Sequence, residues 1–211
     1  MKKFMFLYIV SFMVLNAKAQ TKFQLLSPDK TIRIDIQAIM RLKYSVFVDD
    51  KKILDESVIG MQLVDGRSLS QDLELVSSEE NLKREMIIAQ VPYNRKNIPD
   101  IYNELTLQFK NHFTVIFRAY DDGVAYRIST SFPDSIAVAQ ETAGFLFRKG
   151  GHAYAPLISK REGLDIFHTS FEETYPYKNL DSLSVKDFMF SPVLVKTSDD
   201  ILVGLTESDL D

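Results

Sequence analysis

Phe113-Thr-Val-Ile-Phe-Arg-Ala-Tyr-Asp-Asp-Gly-Val-Ala-Tyr-Arg-Ile128 decides the fold. Phe113, Val115 and Phe117 alternate with Thr114, Ile116 and Arg118, and beyond Asp121-Asp122-Gly123 the same rhythm returns with Val124, Tyr126 and Ile128. Successive strand side chains point to opposite faces, so a period of two marks a strand that buries one face. The intervening Asp-Asp-Gly suits a tight hairpin, with Gly123 expected to supply the positive φ such turns use.

The same alternation extends outward in both directions. Ile32, Ile34 and Ile36 alternate with Arg33, Asp35 and Gln37, and Leu42, Tyr44 and Val46 follow the rule, as do Leu105, Leu107 and Phe109. Short turn signals separate the runs: Ser27-Pro28-Asp29, Asp49-Asp50, Asp65-Gly66 and Ser198-Asp199-Asp200. Val193-Leu194-Val195 and Ile201-Leu202-Val203 read as a closing hairpin. Ser77–Glu85 is polar and acidic, and is expected to be a turn of helix or an exposed strand end. The stretch 92–103, with two prolines, reads as a long connection. Strands with one apolar face must cover it, and the usual cover is a second sheet. The expectation is one antiparallel all-β unit with few or no helices.

At the N-terminus, Lys2-Lys3 precede an apolar run from Phe4 to Leu15, and Ala17-Lys18-Ala19 forms a small-x-small site before Gln20. This order predicts a secretory signal over 1–19, cleaved between Ala19 and Gln20. The run is too short for a bilayer, which needs roughly 20 apolar residues. A secreted or periplasmic protein is expected, off the membrane once cleaved. The remaining 20–211 would carry 22 basic and 29 acidic residues, a net charge of −7 with histidine neutral. That balance gives no electrostatic reason to bind nucleic acid or an anionic membrane.

Cysteine is absent, which excludes disulfides, thiol nucleophiles and thiolate metal sites. His112, His152 and His168 show no metal-motif spacing and read as surface or turn residues. Adjacent acids such as Glu172-Glu173 and Asp199-Asp200 would point apart on a strand. Glycoside hydrolysis needs two carboxyls about 5–10 Å apart across the scissile bond, so neither pair makes an acid/base couple. No residue of this chain is assigned a catalytic role.

Phe117-Arg118-Ala119-Tyr120-Asp121-Asp122-Gly123-Val124-Ala125-Tyr126-Arg127 resembles the strand-turn-strand signature of the N-terminal domain of glycoside hydrolase family 97. In order with it stand Ser27-Pro28-Asp29, Tyr44-Ser45-Val46, Phe171-Glu172-Glu173-Thr174-Tyr175-Pro176-Tyr177 and Thr206-Glu207-Ser208-Asp209-Leu210. The resemblance implies a β-super-sandwich of the galactose-mutarotase type over 20–211, truncated before the (β/α)8 barrel that carries catalysis. It implies an accessory domain of a secreted α-glucosidase or α-galactosidase that braces the barrel and lines its sugar pocket. The partner would be an α-linked glycan, met through the catalytic domain.

It also implies a calcium ion in the full-length enzyme, to which Glu207 would lend a ligand, with none bound by this chain alone. Tyr175 and Tyr177 could stack on a sugar ring or pack at a domain boundary. The family would place indoles near His152-Ala153-Tyr154-Ala155-Pro156, where this chain has no tryptophan. A free-standing carbohydrate-binding module and a degenerate fragment stay open as alternatives.

Overall fold

The computed structural model describes residues 21–70, 73–92, 94–158, 161–168, 172 and 174–208. The signal segment 1–19 lies outside these residues, as do Phe171, Glu173, Asp209 and Leu210 from the passages quoted above. Thirteen strands carry the described structure: β1 (Lys22–Leu26), β2 (Ile32–Ala38), β3 (Leu42–Val48), β4 (Lys51–Leu63), β5 (Leu75–Ile88), β6 (Asn97–Phe109), β7 (Phe113–Ala119), β8 (Val124–Thr130), β9 (Val138–Ala143), β10 (His152–Tyr154), β11 (Tyr177–Asn179), β12 (Val193–Lys196) and β13 (Leu202–Leu205). One 3-10 turn, Leu180–Ser182, is the sole helical element among the described residues. The antiparallel all-β expectation holds.

Three antiparallel sheets form, in the orders β1-β2-β3-β4-β9, β5-β6-β7-β8 and β11-β10-β12-β13. The first two enclose the main core. β2 and β7 each bury every second residue. Ile34, Ile36, Leu42 and Tyr44 thereby meet Leu105, Leu107, Val115 and Phe117 in one cluster. Each such side chain contributes roughly 1.5–3 kcal/mol by leaving water. Phe147 packs against this cluster and also against a second, smaller one built on Ala153, Ala155 and Val195 beneath the third sheet. It thus joins the small sheet to the sandwich.

The turn expected at Asp49-Asp50 is present, whereas the one at Asp121–Gly123 closes differently from the expectation. Asp49 and Asp50, at φ 47° and 61°, carry the two positive torsions of the β3–β4 hairpin. Gly123 does not take a positive φ. Its turn closes instead through the Tyr120 N–H, which donates to the Gly123 carbonyl at 2.8 Å.

Of the two alternatives for Ser77–Glu85 the exposed strand holds, since the stretch lies wholly inside the 14-residue strand β5. One reading changes: the supposed connection 92–103 contains the first half of β6 from Asn97 onward. β5 is an edge strand exposed along nearly its whole length, so neither face needs apolar residues and no period of two is written there. Pro99 is tolerated because this part of β6 has β5 as its one strand neighbour, the β6–β7 ladder running from Asn103 to Gln108.

Candidate functional site

The third sheet presents the most developed candidate surface. Gly151 leads into β10 at a point where a Cβ would come within 2.9 Å of Leu180 and 3.0 Å of the Lys196 carbonyl, so the backbone can approach β12 closely. Alternation then turns Ala153 inward, 1% exposed, beside Val195, and turns His152 and Tyr154 outward. On β11, Tyr177 pairs directly with Tyr154, and on β12 Leu194 lies on Tyr154's other side. The exit of β11 is fixed by Asn179, whose side-chain oxygen accepts from the Asp181 N–H at 2.8 Å. Leu180 and Leu183 then drop into the cluster below.

The result is an aromatic surface. Tyr177 stacks on the His152 imidazole with centroids 4.7 Å apart and planes 9° from parallel, and meets Tyr154 at 4.8 Å. Tyr154, Tyr175 and Tyr177 stay 42%, 49% and 48% exposed, which leaves much of each ring available to a ligand. A shallow cavity of about 430 Å³ runs over Tyr154, Tyr175, Leu194 and Gly204. Gly204 pairs with Leu194, and nothing stands within 4 Å of where its Cβ would be, so the floor there is open.

Lys196 forms the polar rim. Its ammonium sits 2.9 Å from the Asp200 carboxylate. This contact raises the lysine's pKa, with lesser help from Tyr177 and Tyr154, and lowers that of Asp200. Both stay charged across the physiological range. Apolar ring faces beside hydroxyl, ammonium and carboxylate groups suit a neutral polyhydroxylated ring, whose C–H faces stack while its hydroxyls hydrogen-bond.

The structure therefore sets Tyr175 and Tyr177 each near Tyr154, and adds Tyr154 itself, His152 and the Lys196–Asp200 pair, which sequence reasoning missed. A three-residue strand is too short to show a period. The one available signal was an aromatic residue in the segment where the resemblance called for indoles.

Glu207 belongs to a different neighbourhood. It is exposed beyond the end of β13, and its charge acts on Tyr126 of β8. Burial, with Glu141 and Glu207 adding to it, pushes the Tyr126 phenol up to about 12. Two carboxylates, Glu141 and Glu207, thus bear on one phenol. Calcium takes six to eight oxygen ligands. Among the described residues no three His, Cys, Asp or Glu side chains gather into a metal-holding group. They do not make a calcium shell by themselves.

Several other acids have structural employment. Asp200 pairs with Lys196, and Asp199 stands 3.9 Å from Arg148. Asp121 accepts from the Asp29 N–H at 2.8 Å, so the Ser-Pro-Asp and Asp-Asp-Gly motifs meet across 92 residues. Asp29 in turn accepts from Ser27 Oγ (2.6 Å), Thr31 N–H (2.9 Å) and Thr31 Oγ1 (2.8 Å). These bonds lower its pKa to about 2, that from Ser27 most. Arg118 bonds Glu104 across the β6–β7 ladder at 2.8 Å and lies over the Tyr102 ring.

Comparison with known proteins follows the fold. The family described as glycosyl-hydrolase 97 N-terminal matches residues 25–211. The chain is 33% identical over 214 residues to a retaining alpha-galactosidase of Bacteroides thetaiotaomicron, an alignment covering 100% of this chain and 32% of that protein. The crystal structure of a beta-arabinopyranosidase superposes with a TM-score of 0.78 at 24% identity, over 90% of this chain and 32% of the other. A glycoside hydrolase family 97 enzyme from Pseudoalteromonas sp. strain K8, in complex with panose, gives 0.69 at 19% identity, over 84% and 27%. At these identities the structural likenesses establish the fold. The chain spans about a third of the length of the relatives it matches.

Proposed function

The chain belongs to the glycosyl-hydrolase 97 N-terminal family, and on that premise we propose that it is the accessory β-sandwich of an exported α-glycosidase. In this reading it braces a catalytic barrel and borders its sugar pocket, while hydrolysis is done elsewhere. One observation carries the proposal: the whole chain aligns with 32% of a retaining alpha-galactosidase. The test is to incubate the purified chain with nitrophenyl α-galactoside and α-glucoside. No release above a blank is expected, and turnover would overturn the accessory role.

Glu207 is assigned one ligand position in a calcium site completed by groups outside the described residues. Its exposure past the end of β13, with one carboxylate to offer, supports a partial contribution. Calcium titrated into this chain should bind no more tightly than about millimolar, an affinity worth some 4 kcal/mol. Micromolar binding would refute the one-ligand assignment. Export predicts a mature N-terminus at Gln20, read by intact-mass measurement of the protein from its native host.

A second reading has its own observation. The exposed ring set Tyr154, Tyr175 and Tyr177 favours direct glycan contact by this chain, as in a free-standing binding module. Calorimetric titration with maltooligosaccharides, repeated on Tyr177→Ala, separates the two. Binding in the parent that the substitution abolishes supports a binding surface, and heat that survives in Tyr177→Ala rules it out.

A further inference from the structure

β5 is the outermost strand of its sheet and, among the described strands, pairs with β6 alone. Where the β6–β7 ladder ends at Asn103, Lys83–Ile88 and the facing 97–102 continue outward as a two-stranded ribbon. Met86, Ile87 and Ile88 on this ribbon are 55%, 49% and 65% exposed. Two strands alone are marginal in water, and a long unpaired edge with apolar side chains is a template for another strand. β5 contains no proline, and its irregularity is confined to the step between Leu75 and Ser77. Its charges are the remaining feature that selects a partner.

The order of those charges is self-complementary. Acids Glu79 and Glu80 precede bases Lys83 and Arg84. We propose that β5 is a dimerisation edge, pairing antiparallel with β5 of a second copy about a twofold axis through Asn81. In that register Glu79 of each copy stands opposite Lys83 of the other, Ser78 opposite Arg84, and Ser77 opposite Glu85. Directly opposed residues share a face, so the Glu79–Lys83 contacts form twice by symmetry. Moving the axis to Leu82 sets Glu79 against Glu85, a like-charge clash. Moving it to Arg84 opposes Lys83 and Glu85 but leaves 77–79 unmatched. The Asn81 register pairs the most strand with no like charges opposed, and it joins the two four-stranded sheets into one of eight.

Sedimentation equilibrium of the purified chain from about 1 to 200 μM tests this. A dimer is expected. Lys83→Glu and Glu79→Lys should each weaken it about tenfold, because two attractive pairs become repulsive at once. The double variant Glu79→Lys/Lys83→Glu should recover the parent's dissociation constant, which a loss of folding in either single variant would not predict. A monomer across that range overturns the proposal. So does a dimer indifferent to the single reversals, or one that the double variant fails to restore.

Discussion

Two substitutions of similar size, Phe117→Ala and Tyr177→Ala, should behave in opposite ways. Phe117 is 1% exposed on β7 and lies among Tyr44 and Tyr126, with ring centroids at 6.2 and 6.3 Å. Its removal loses the transfer energy of a whole ring and leaves a cavity between two sheets that cannot both relax, a cost of about 3–5 kcal/mol. For a domain of this size each kcal/mol shifts the melting temperature by about 2–4 °C, so a fall on the order of 10 °C is expected. Tyr177 is 48% exposed, and its losses are the His152 stack and the Tyr154 contact. Such ring pairs are worth about 0.5–1.5 kcal/mol, and half-exposure places this one toward the lower end, so a shift of a few degrees or less is expected. Thermal unfolding by circular dichroism, run beside oligosaccharide titration, reads both quantities. A Tyr177→Ala variant that melts as early as Phe117→Ala would make Tyr177 a packing residue and refute the aromatic surface as a site.

Titration supplies two further expectations. Asp29 has its pKa lowered to about 2 by Ser27 and Thr31. A depressed carboxylate stabilises the fold above its unfolded value and loses that contribution as pH falls from about 4 toward 2. Asp29→Asn should therefore flatten the acid limb of a melting-temperature profile in that window, and an unchanged limb would contradict the assignment. Tyr126, raised to about 12, should ionise late in an alkaline absorbance titration, and the fold should lose stability as pH rises from about 10 to 12, where the unfolded phenol ionises and the native one does not. Glu207→Gln should bring that late phenol earlier, and no change would remove Glu207 from the neighbourhood of Tyr126. Gly144→Ala should destabilise by about 1–3 kcal/mol in a denaturant melt, because its Cβ would sit 2.8 Å from the Val58 carbonyl oxygen and 2.9 Å from the Val58 nitrogen, both backbone atoms.

Legibility in the sequence followed burial. β2, β3, β7 and β8 each present one face to the core, and that asymmetry is what period-two alternation records. β5 has no buried side along Ser77–Ile88, so its sequence Ser-Ser-Glu-Glu-Asn-Leu-Lys-Arg-Glu carried charge order rather than hydrophobic rhythm. Half of β6 was hidden by Pro92 and Pro99, which signal breaks unless the neighbouring strand is known to be missing. Tyr175 and Tyr177 were visible as candidates because tyrosines in an acidic loop stand out. Tyr154 was not, since its role comes from pairing with Tyr177 across 23 residues, a long-range fact of register.

The passage that ties the chain to its family is a folding device. The Asp121 carboxylate accepts from the Asp29 backbone N–H, the Arg118 guanidinium donates to Glu104, and the Asp-Asp-Gly turn closes on itself. The first of these contacts ties the hairpin to the Ser27–Asp29 turn, and the second spans the β6–β7 ladder. Family membership thus carries the architecture of the sandwich, and chemistry must be sought where side chains face out with their neighbours already satisfied. Three such places among the described residues are the tyrosine face of β10–β12, the carboxylate of Glu207 past β13, and the charged edge of β5. The first two lie on the third sheet or its end, which Phe147, alone among the described hydrophobic residues, ties to both cores. Phe147→Ala should for that reason loosen the tyrosine face more than the main sandwich. Hydrogen exchange would show amides of β10 and β12 losing protection while those of β2 and β7 keep theirs, and a uniform loss would mean the two cores unfold as one.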